Sequence, residues 1–335
     1  MVALALLVAL SLPPDTALVI AHRGASGDRP EHTLAAYRLA VEHGADVIEP
    51  DVVATRDGVL VARHENEISE TTDVASRPEF ADRRATKTID GADVTGWFTE
   101  DFTLAELRTL RAVERLPDLR PGSAAYDGQF GVPTLDEVIA LADSLGAARG
   151  RPVGLYPETK HPSYFRSIGL PLEAPLVKAL HAAGHTGPEA PVWIQSFEVG
   201  NLRALREQTG LRLVQLATPG GRPFGGGPAY DVMLTPAGLA EVATYADALG
   251  VHKGSVLDPD TLAPTPLVVD AHAAGLDVHV WTVRAENAFL PPPLRRGASP
   301  DDHGDVGAEA RALVEAGVDG LFTDHPALVL AALGR

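Results

Sequence analysis

The sequence predicts an α/β protein, a (β/α)8 TIM barrel with an insertion after the second strand and its hairpin. Three observations predict it. Apolar runs short enough for strands alternate with amphipathic stretches long enough for helices. Leaving out one hairpin arm, the strand runs begin near Ala17, Ala45, Val153, Val192, Leu211, Gly250, Asp277 and Val318, which makes eight, the count of a closed parallel barrel. Polar and charged side chains gather at the ends of these runs, where such a barrel carries its chemistry. An open doubly wound sheet is the alternative.

Taken in order, Ala17 to Ala21 is a buried-strand run preceded by two prolines. After a loop from Gly24 to Pro30, Thr33 is placed to cap a helix over Leu34 to Glu42, which His43-Gly44 ends. Ala45 to Val53 is the second strand. Asp57-Gly58 then marks a hairpin, with Val59 to Arg63 as the returning arm. Centred on Asp57-Gly58, that turn puts His64 roughly beside Asp51. Glu49 and Asp51 are two apart on one strand and so share a face.

Glu65 to Val132 breaks the rhythm. It is charged and turn-rich, with one clear helix over Leu104 to Arg111 capped by Thr103. It reads as an insertion on the rim, over about residues 65–132, of the kind that is usually functional or mobile. The rhythm resumes with helices over Leu135 to Leu145, Pro175 to Ala183, Leu202 to Gln208, Leu239 to Leu249, Pro266 to Ala274 and Gly307 to Ala316. Gly220 to Gly227 is a Gly/Pro loop without the Lys-Ser/Thr of a nucleotide-binding loop, so it reads as plain loop.

The chain has 335 residues, 45% of them hydrophobic, enough for one large α/β core or two smaller ones. Lys and Arg total 28 against 45 for Asp and Glu, a net charge of −17, which argues against a nucleic-acid partner. With no cysteine, disulfides and thiolate metal sites are excluded. Met1 to Leu12 is apolar and uncharged, but too short for a membrane span of about 20 residues. It matches the apolar middle of a signal peptide without the basic start. The expectation is a leader over residues 1–16, a single barrel domain over 17–335, no stable membrane insertion, and a periplasmic or secreted enzyme. A plain N-terminal strand, a misplaced start and a cytoplasmic location are the alternatives.

His22 and Arg23 end the first strand, Glu49 and Asp51 the second, and Glu158 and Lys160 the third. Gln195-Ser196, Trp281-Thr282 and Thr323-Asp324 end later ones. Three carboxylates at one mouth repel one another unless a cation is present. An all-oxygen set suits one hard divalent cation, Ca²⁺ or Mg²⁺; a metal-free salt-bridge cluster with Arg23 and Lys160 is the bland reading. His22 and His64 titrate in the range for a general acid and base. Arg23 and Lys160 suit an anion such as phosphate. Phe197, Trp281, Trp97 and Phe98 offer an apolar wall, with plain core packing the alternative for each. His32, His43, His181, His185 and His272 read as helix-surface residues, and His161 as a rim residue.

His22-Arg23-Gly24, Glu49-Pro50-Asp51 and His64 resemble the signature of the glycerophosphodiester phosphodiesterases. So do Pro30-Glu31-His32-Thr33, Tyr156-Pro157-Glu158-Thr159-Lys160, Gln195-Ser196-Phe197, Trp281-Thr282-Val283 and Gly317 to Pro326. Thr72-Asp73-Val74 and the long insertion look most like the bacterial periplasmic branch. The resemblance implies a metal-dependent barrel that splits a small-molecule glycerophosphodiester into sn-glycerol 3-phosphate and an alcohol. By match, Glu49, Asp51 and Glu158 would hold the cation, His22 and His64 would be the acid/base pair, and Arg23 and Lys160 would hold the phosphate. The chain departs from the pattern at Arg63, and at Glu65, where the family commonly has Asp. The alternatives are a phospholipase-D-like enzyme acting on lysolipids or sphingolipids, and a protein that binds glycerophosphodiesters without turnover. Oligomeric state is not encoded in any feature of the chain.

Overall fold

The computed structural model describes residues 17–335; the leader expected over residues 1–16 lies outside them. Eleven strand segments form one sheet that is parallel but for a single hairpin arm. In chain order they are β1 (Leu18–Ala21), β2 (Val47–Ile48), β3 (Asp51–Ala54) and the antiparallel arm β4 (Leu60–Ala62). A separate hairpin of β5 (Ala85–Ile89) and β6 (Ala92–Gly96) lies in the insertion. Then come β7 (Gly154–Leu155), β8 (Glu158–Thr159), β9 (Trp193–Ser196), β10 (Arg212–Ala217), β11 (Ala248–His252), β12 (Asp277–Val283) and β13 (Gly320–Thr323).

The sheet closes on itself. β1 pairs with both β13 and β2, β2 with β7, β3 with β8, and β8 with β9. β2 with β3, and β7 with β8, are each one barrel strand interrupted next to a proline, Pro50 or Pro157. Proline has no N–H to give the ladder, so the strand breaks there. Those two breaks set Glu49, Asp51 and Glu158 side by side at the mouth. Counted this way there are eight barrel strands, as the sequence predicts.

Ile20, Val47, Tyr156, Trp193, Val214, Ala248 and Phe322 fill the barrel interior, as the inward face of a closed sheet must. The larger apolar cluster lies between the sheet and the outer helices. The helix starts follow their caps. Thr33 accepts from the Ala36 N–H at 3.1 Å, and Thr103 and Thr134 form capping boxes with Glu106 and Glu137. No helix among the described residues is long and apolar enough to cross a membrane.

Four local expectations need correction. The hairpin closes with the Thr55 N–H donating to the Val59 carbonyl at 2.9 Å, leaving three residues in the loop and not two. Asp51 therefore faces Arg63, whose N–H donates to the Asp51 carbonyl at 2.9 Å, and His64 lies one residue further on. The helix expected over 239–249 ends at Val242, and Ala248-Leu249 joins β11. The helix expected over 104–111 ends at Leu107. The insertion carries the β5–β6 hairpin, turned by Asp90 and Gly91, both at positive φ.

Gly24 sits at φ +89°, and a Cβ there would lie 2.7 Å from the Ala36 carbonyl carbon. Gly24→Ala combines left-handed strain with overpacking, each costing about 1–3 kcal/mol. The expected result is a Tm lowered by several degrees in a thermal melt; an unchanged Tm would show that the first helix is free to shift away.

Candidate active site

The carboxylates come first. Glu49 lies in the gap between β2 and β3, Asp51 opens β3, and Glu158 opens β8 directly beside Asp51 in the parallel register. All three are buried, and one oxygen of each lies within 4.8 Å of the other two. Glu49 is pinned from two sides: Oε2 accepts the Arg23 backbone N–H at 3.0 Å, and Oε1 accepts from Gln195 Nε2 at 2.7 Å. Glu158 Oε1 accepts from Lys160 Nζ at 2.9 Å. Asp51 Oδ2 meets His32 Nε2 at 3.0 Å, while Asp51 Oδ1 is buried with no partner.

Burial, with Asp51 adding to it, pushes the Glu49 carboxyl well above its ordinary value. Burial also raises Glu158, to about 7, against the pull of Lys160. Asp51 goes the other way: against the cost of burial, His32, His64 and Lys160 hold it well below the usual carboxylate range. Such a split is what like charges in a shared dry site produce when no cation is present. The unpartnered Asp51 Oδ1, aligned with two further carboxylates, is the kind of vacancy in hydrogen bonding that a hard cation satisfies, so these residues fit a Ca²⁺ or Mg²⁺ ion.

His22 ends β1. Its Nδ1 lies 2.5 Å from Asp324 Oδ1. Asp324 Oδ2 accepts from Arg284 Nε at 2.8 Å and from Arg120, and Arg120 Nε reaches Glu286 Oε1 at 2.5 Å. Two guanidiniums and His22 overcome the cost of burial and hold Asp324 ionised. An ionised Asp324 only accepts, so the His22 proton sits on Nδ1 and Nε2 is left as the free lone pair. Burial first, then Arg23, pushes the His22 imidazole down to about 4.

His64 lines the same cavity as His22, with its side chain 27% exposed. Its Nε2 is 3.2 Å from Lys160 Nζ and its Nδ1 is 2.8 Å from Glu65 Oε1. Glu65 Oε2 meets His161 Nε2 at 2.7 Å, and His161 Nδ1 meets Asp90 Oδ2 at 2.6 Å. Burial lowers His161, but its two carboxylate hydrogen bonds outweigh that and raise it to about 9. His161 is therefore the cation between two anions, and it ties Glu65, and through it His64, to the β5–β6 hairpin. The rim reading of His161 holds.

Arg23 is at φ +60°. Its Nη1 donates to both oxygens of Glu31 at 3.1 Å, and its Nε, 3.7 Å from Asp51 Oδ2, has no hydrogen-bond partner. Arg23, Lys160 and the two histidines thus surround the carboxylates. His32 is not a helix-surface residue. It is fully buried at φ +54°, with Nδ1 2.7 Å from the Tyr37 hydroxyl and Nε2 on Asp51. The left-handed turn before the helix tips its ring inward, where it fixes which Asp51 oxygen stays free. Arg63 is also fully buried, donating to the Glu31 carbonyl at 2.9 Å.

A cavity of about 280 Å³ opens between His22, Arg23, His64, Glu49 and Glu158. Phe197 and Trp281 line it, edge to face at 6.1 Å, and Phe322 closes its floor. Lys253, Arg284 and Phe289, none singled out in the sequence, complete its far side. Trp97 and Phe98 pack inside the insertion, where Trp97 Nε1 donates to the Phe80 carbonyl at 2.6 Å; for these two the core reading holds.

The His22 shift carries a stability consequence. An imidazole near 4 when folded and near 6.5 when unfolded takes up its proton first in the unfolded chain. Its contribution is complete above about pH 6.5 and is lost as the pH falls toward 4. In the ion-free protein, the stability difference between wild type and His22→Gln is expected to shrink over that window by about 3 kcal/mol, at 1.36 kcal/mol per pKa unit. Urea midpoints measured from pH 7 to 4 test it; a pH-independent difference would contradict it.

Comparison with known proteins agrees with this geometry. The chain is 36% identical over 323 residues to the glycerophosphodiester phosphodiesterase GDPD6 of Arabidopsis thaliana, covering 91% of this chain and 82% of that protein. It is 30% identical over 339 residues to the glycerophosphodiester phosphodiesterase of Haemophilus influenzae, covering 92% and 87%. Among solved structures, an Oleispira antarctica phosphodiesterase in complex with the product sn-glycerol-3-phosphate superposes with a TM-score of 0.63 at 22% identity, covering 95% of this chain and 97% of that one. A glycerophosphodiester phosphodiesterase from Parabacteroides distasonis gives 0.59 at 20% identity, covering 96% and 98%. These two likenesses establish the fold. The model of the glycerophosphoryl diester phosphodiesterase family matches residues 22–328, and the chain belongs to that family.

Proposed function

We propose that this chain hydrolyses glycerophosphodiesters to sn-glycerol 3-phosphate and an alcohol, with a divalent cation, Ca²⁺ or Mg²⁺, held by Glu49, Asp51 and Glu158. The observation that carries the reading is the convergence of three buried carboxylates, one with an unpartnered oxygen, between two histidines and two cations. The glycerophosphodiester phosphodiesterases among its relatives support the substrate class, and the bound product in the Oleispira antarctica phosphodiesterase is in keeping with it.

When bound, the ion supplies positive charge against a phosphate oxygen, the largest single need of phosphodiester cleavage. This chain's own groups do the rest. Arg23 and Lys160 hold the phosphate between them, Arg23 through the Nε left free by its Glu31 anchor. His22 Nε2 and His64 Nε2, from two residues that line the same cavity, move the protons. Phe197 and Trp281 exclude water from one side.

The test is release of glycerol 3-phosphate from glycerophosphocholine and from glycerophosphoglycerol. Release from at least one is expected; tight binding of both without release would leave a binding protein instead.

We also propose export of the periplasmic type, on the strength of the apolar, uncharged Met1 to Leu12, of Thr72-Asp73-Val74 and of the long insertion. Cell fractionation of the full chain tests it, and recovery in the cytoplasm alone would refute it.

A further inference from the structure

A second cavity of about 280 Å³ lies on the other side of Glu158 and Phe197 from the first. The two share those side chains, so a phosphate held by Lys160 next to Glu158 has a room on either hand. The rooms differ in charge. The first carries Arg23, Lys253 and Arg284 apart from its metal-type carboxylates. The second carries Asp90 and Glu198 and three aromatic rings, Phe197, Phe224 and Tyr230. Asp90 Oδ1 is buried without a hydrogen-bond partner. The cations there already face carboxylates: Lys160 meets Glu158, with further N–H groups for the phosphate, and His161 lies between Asp90 and Glu65. Glu65, His161, Asp90 and Glu198 together leave an excess of negative charge.

Two segments wall this room, neither of them part of the barrel's repeating unit. One is the β5–β6 hairpin tip, which brings Asp90. The other is the loop Gly220 to Gly227, which brings Phe224. They meet, since a Cβ on Gly91 would lie 3.9 Å from Phe224 Cε2. The loop needs its glycines: Gly225 is at φ +75°, and a Cβ there would stand 2.9 Å from Ser163 Oγ and 3.1 Å from Glu198 Oε2. The loop is thus seated on the Ser163–Glu198 pair, with the 43% exposed ring of Phe224 presented at the opening. Phe197 and Tyr230 stand edge to face at 6.4 Å.

Resting on the function proposed above, we infer that this second cavity is the subsite for the leaving alcohol and selects one bearing a cationic nitrogen, a quaternary or primary ammonium. Aromatic faces with a nearby carboxylate are the surroundings that such a cation prefers. An anionic or purely polyhydroxyl alcohol gains nothing from the rings and meets the negative charge. The glycerophosphate half then occupies the cationic first cavity, where its own charge is matched.

The experiment compares kcat/KM for glycerophosphocholine and glycerophosphoethanolamine with that for glycerophosphoglycerol, in the ion-loaded wild type and in Phe224→Ala and Glu198→Gln. The wild type is expected to favour the two cationic substrates by at least about 10-fold, the scale of a desolvated cation–π contact. Each variant should reduce that preference severalfold through KM, leaving turnover of glycerophosphoglycerol unchanged. Phe224 is at the surface, so its variant should fold. Equal kcat/KM for all three substrates in the wild type, or a variant that slows all three alike, would overturn the inference while the phosphodiesterase reading stands. Absence of turnover on every substrate would instead bring down that reading.

Discussion

Replacing His22 by alanine is expected to lower kcat at least 100-fold, the lower bound for loss of a positioned general acid or base. The geometry leaves His22 one free nitrogen. Asp324 occupies Nδ1 at 2.5 Å, and Nε2 faces the cavity. Nothing nearby can take over, because Asp324 is itself held by Arg120 and Arg284. His64→Ala should produce a loss of similar size, with Lys160 losing the lone pair it meets at 3.2 Å. Asp324→Asn separates position from chemistry. It keeps the size of the side chain but lets an amide N–H face Nδ1, which favours the wrong tautomer. Its expected signature is a lower kcat with little change in KM, and a Tm reduced by the loss of the carboxylate charge that Arg120 and Arg284 meet. Near-normal turnover in His22→Ala or His64→Ala would remove that histidine from the mechanism.

How much of this was legible in the sequence differs by the kind of signal. The barrel was legible because its strands are apolar runs and several helix starts, at Thr33, Thr103 and Thr134, carry a cap, so period and punctuation agree. The site was legible because carboxylates, histidines and an arginine at strand ends make poor core. His32 was not legible. A histidine just before a helix reads as surface, and only its left-handed φ of 54° turns the ring under Asp51. Period says nothing about such a turn. A two-residue turn centred on Asp57-Gly58 puts His64 beside Asp51; the three-residue loop shifts the register by one and puts Arg63 there. The β5–β6 hairpin carries the same Asp-Gly signal at Asp90-Gly91. Its strands, Ala-Thr-Lys-Thr-Ile and Ala-Asp-Val-Thr-Gly, are too polar to show as apolar runs. The overrun of the helix at Ala248-Leu249 has a simple cause, since two apolar residues fit either period.

The insertion is the part whose role the sequence concealed most. Arg115 reaches Glu31 at 3.2 Å and Arg120 reaches Glu286 and Asp324. Asp90 reaches His161. Three side chains from one rim segment therefore brace, in turn, the anchor of Arg23, the partner of His22 and the partner of Glu65. A segment that reads as decoration supplies the outer support for both histidines. Its length is what lets one stretch of chain touch opposite sides of the mouth.

Stripping divalent ions with EDTA is expected to abolish turnover, and Glu49→Gln to reproduce that loss permanently. The argument runs through charge. Glu49, Asp51 and Glu158 lie too close together, and too deep, for all three to be ionised unaided. In the ion-free protein burial and Asp51 push Glu49 toward its protonated form. Glutamine imitates that neutral form, and a turned-over Gln195 amide can accept the new N–H. Glu49→Gln should therefore melt close to wild type in EDTA. The difference appears on adding back Ca²⁺ or Mg²⁺. A ligand at 100 times its Kd stabilises the folded state by about 2.7 kcal/mol, so the wild-type Tm should rise by several degrees. The variant, lacking one of three anionic ligands, should show little or no rise at the same concentration. Running the two ions in parallel melts also ranks Ca²⁺ against Mg²⁺ without reference to activity. An equal rise in wild type and Glu49→Gln, or full turnover in thoroughly chelated protein, would mean that the three carboxylates converge for a reason other than a shared cation.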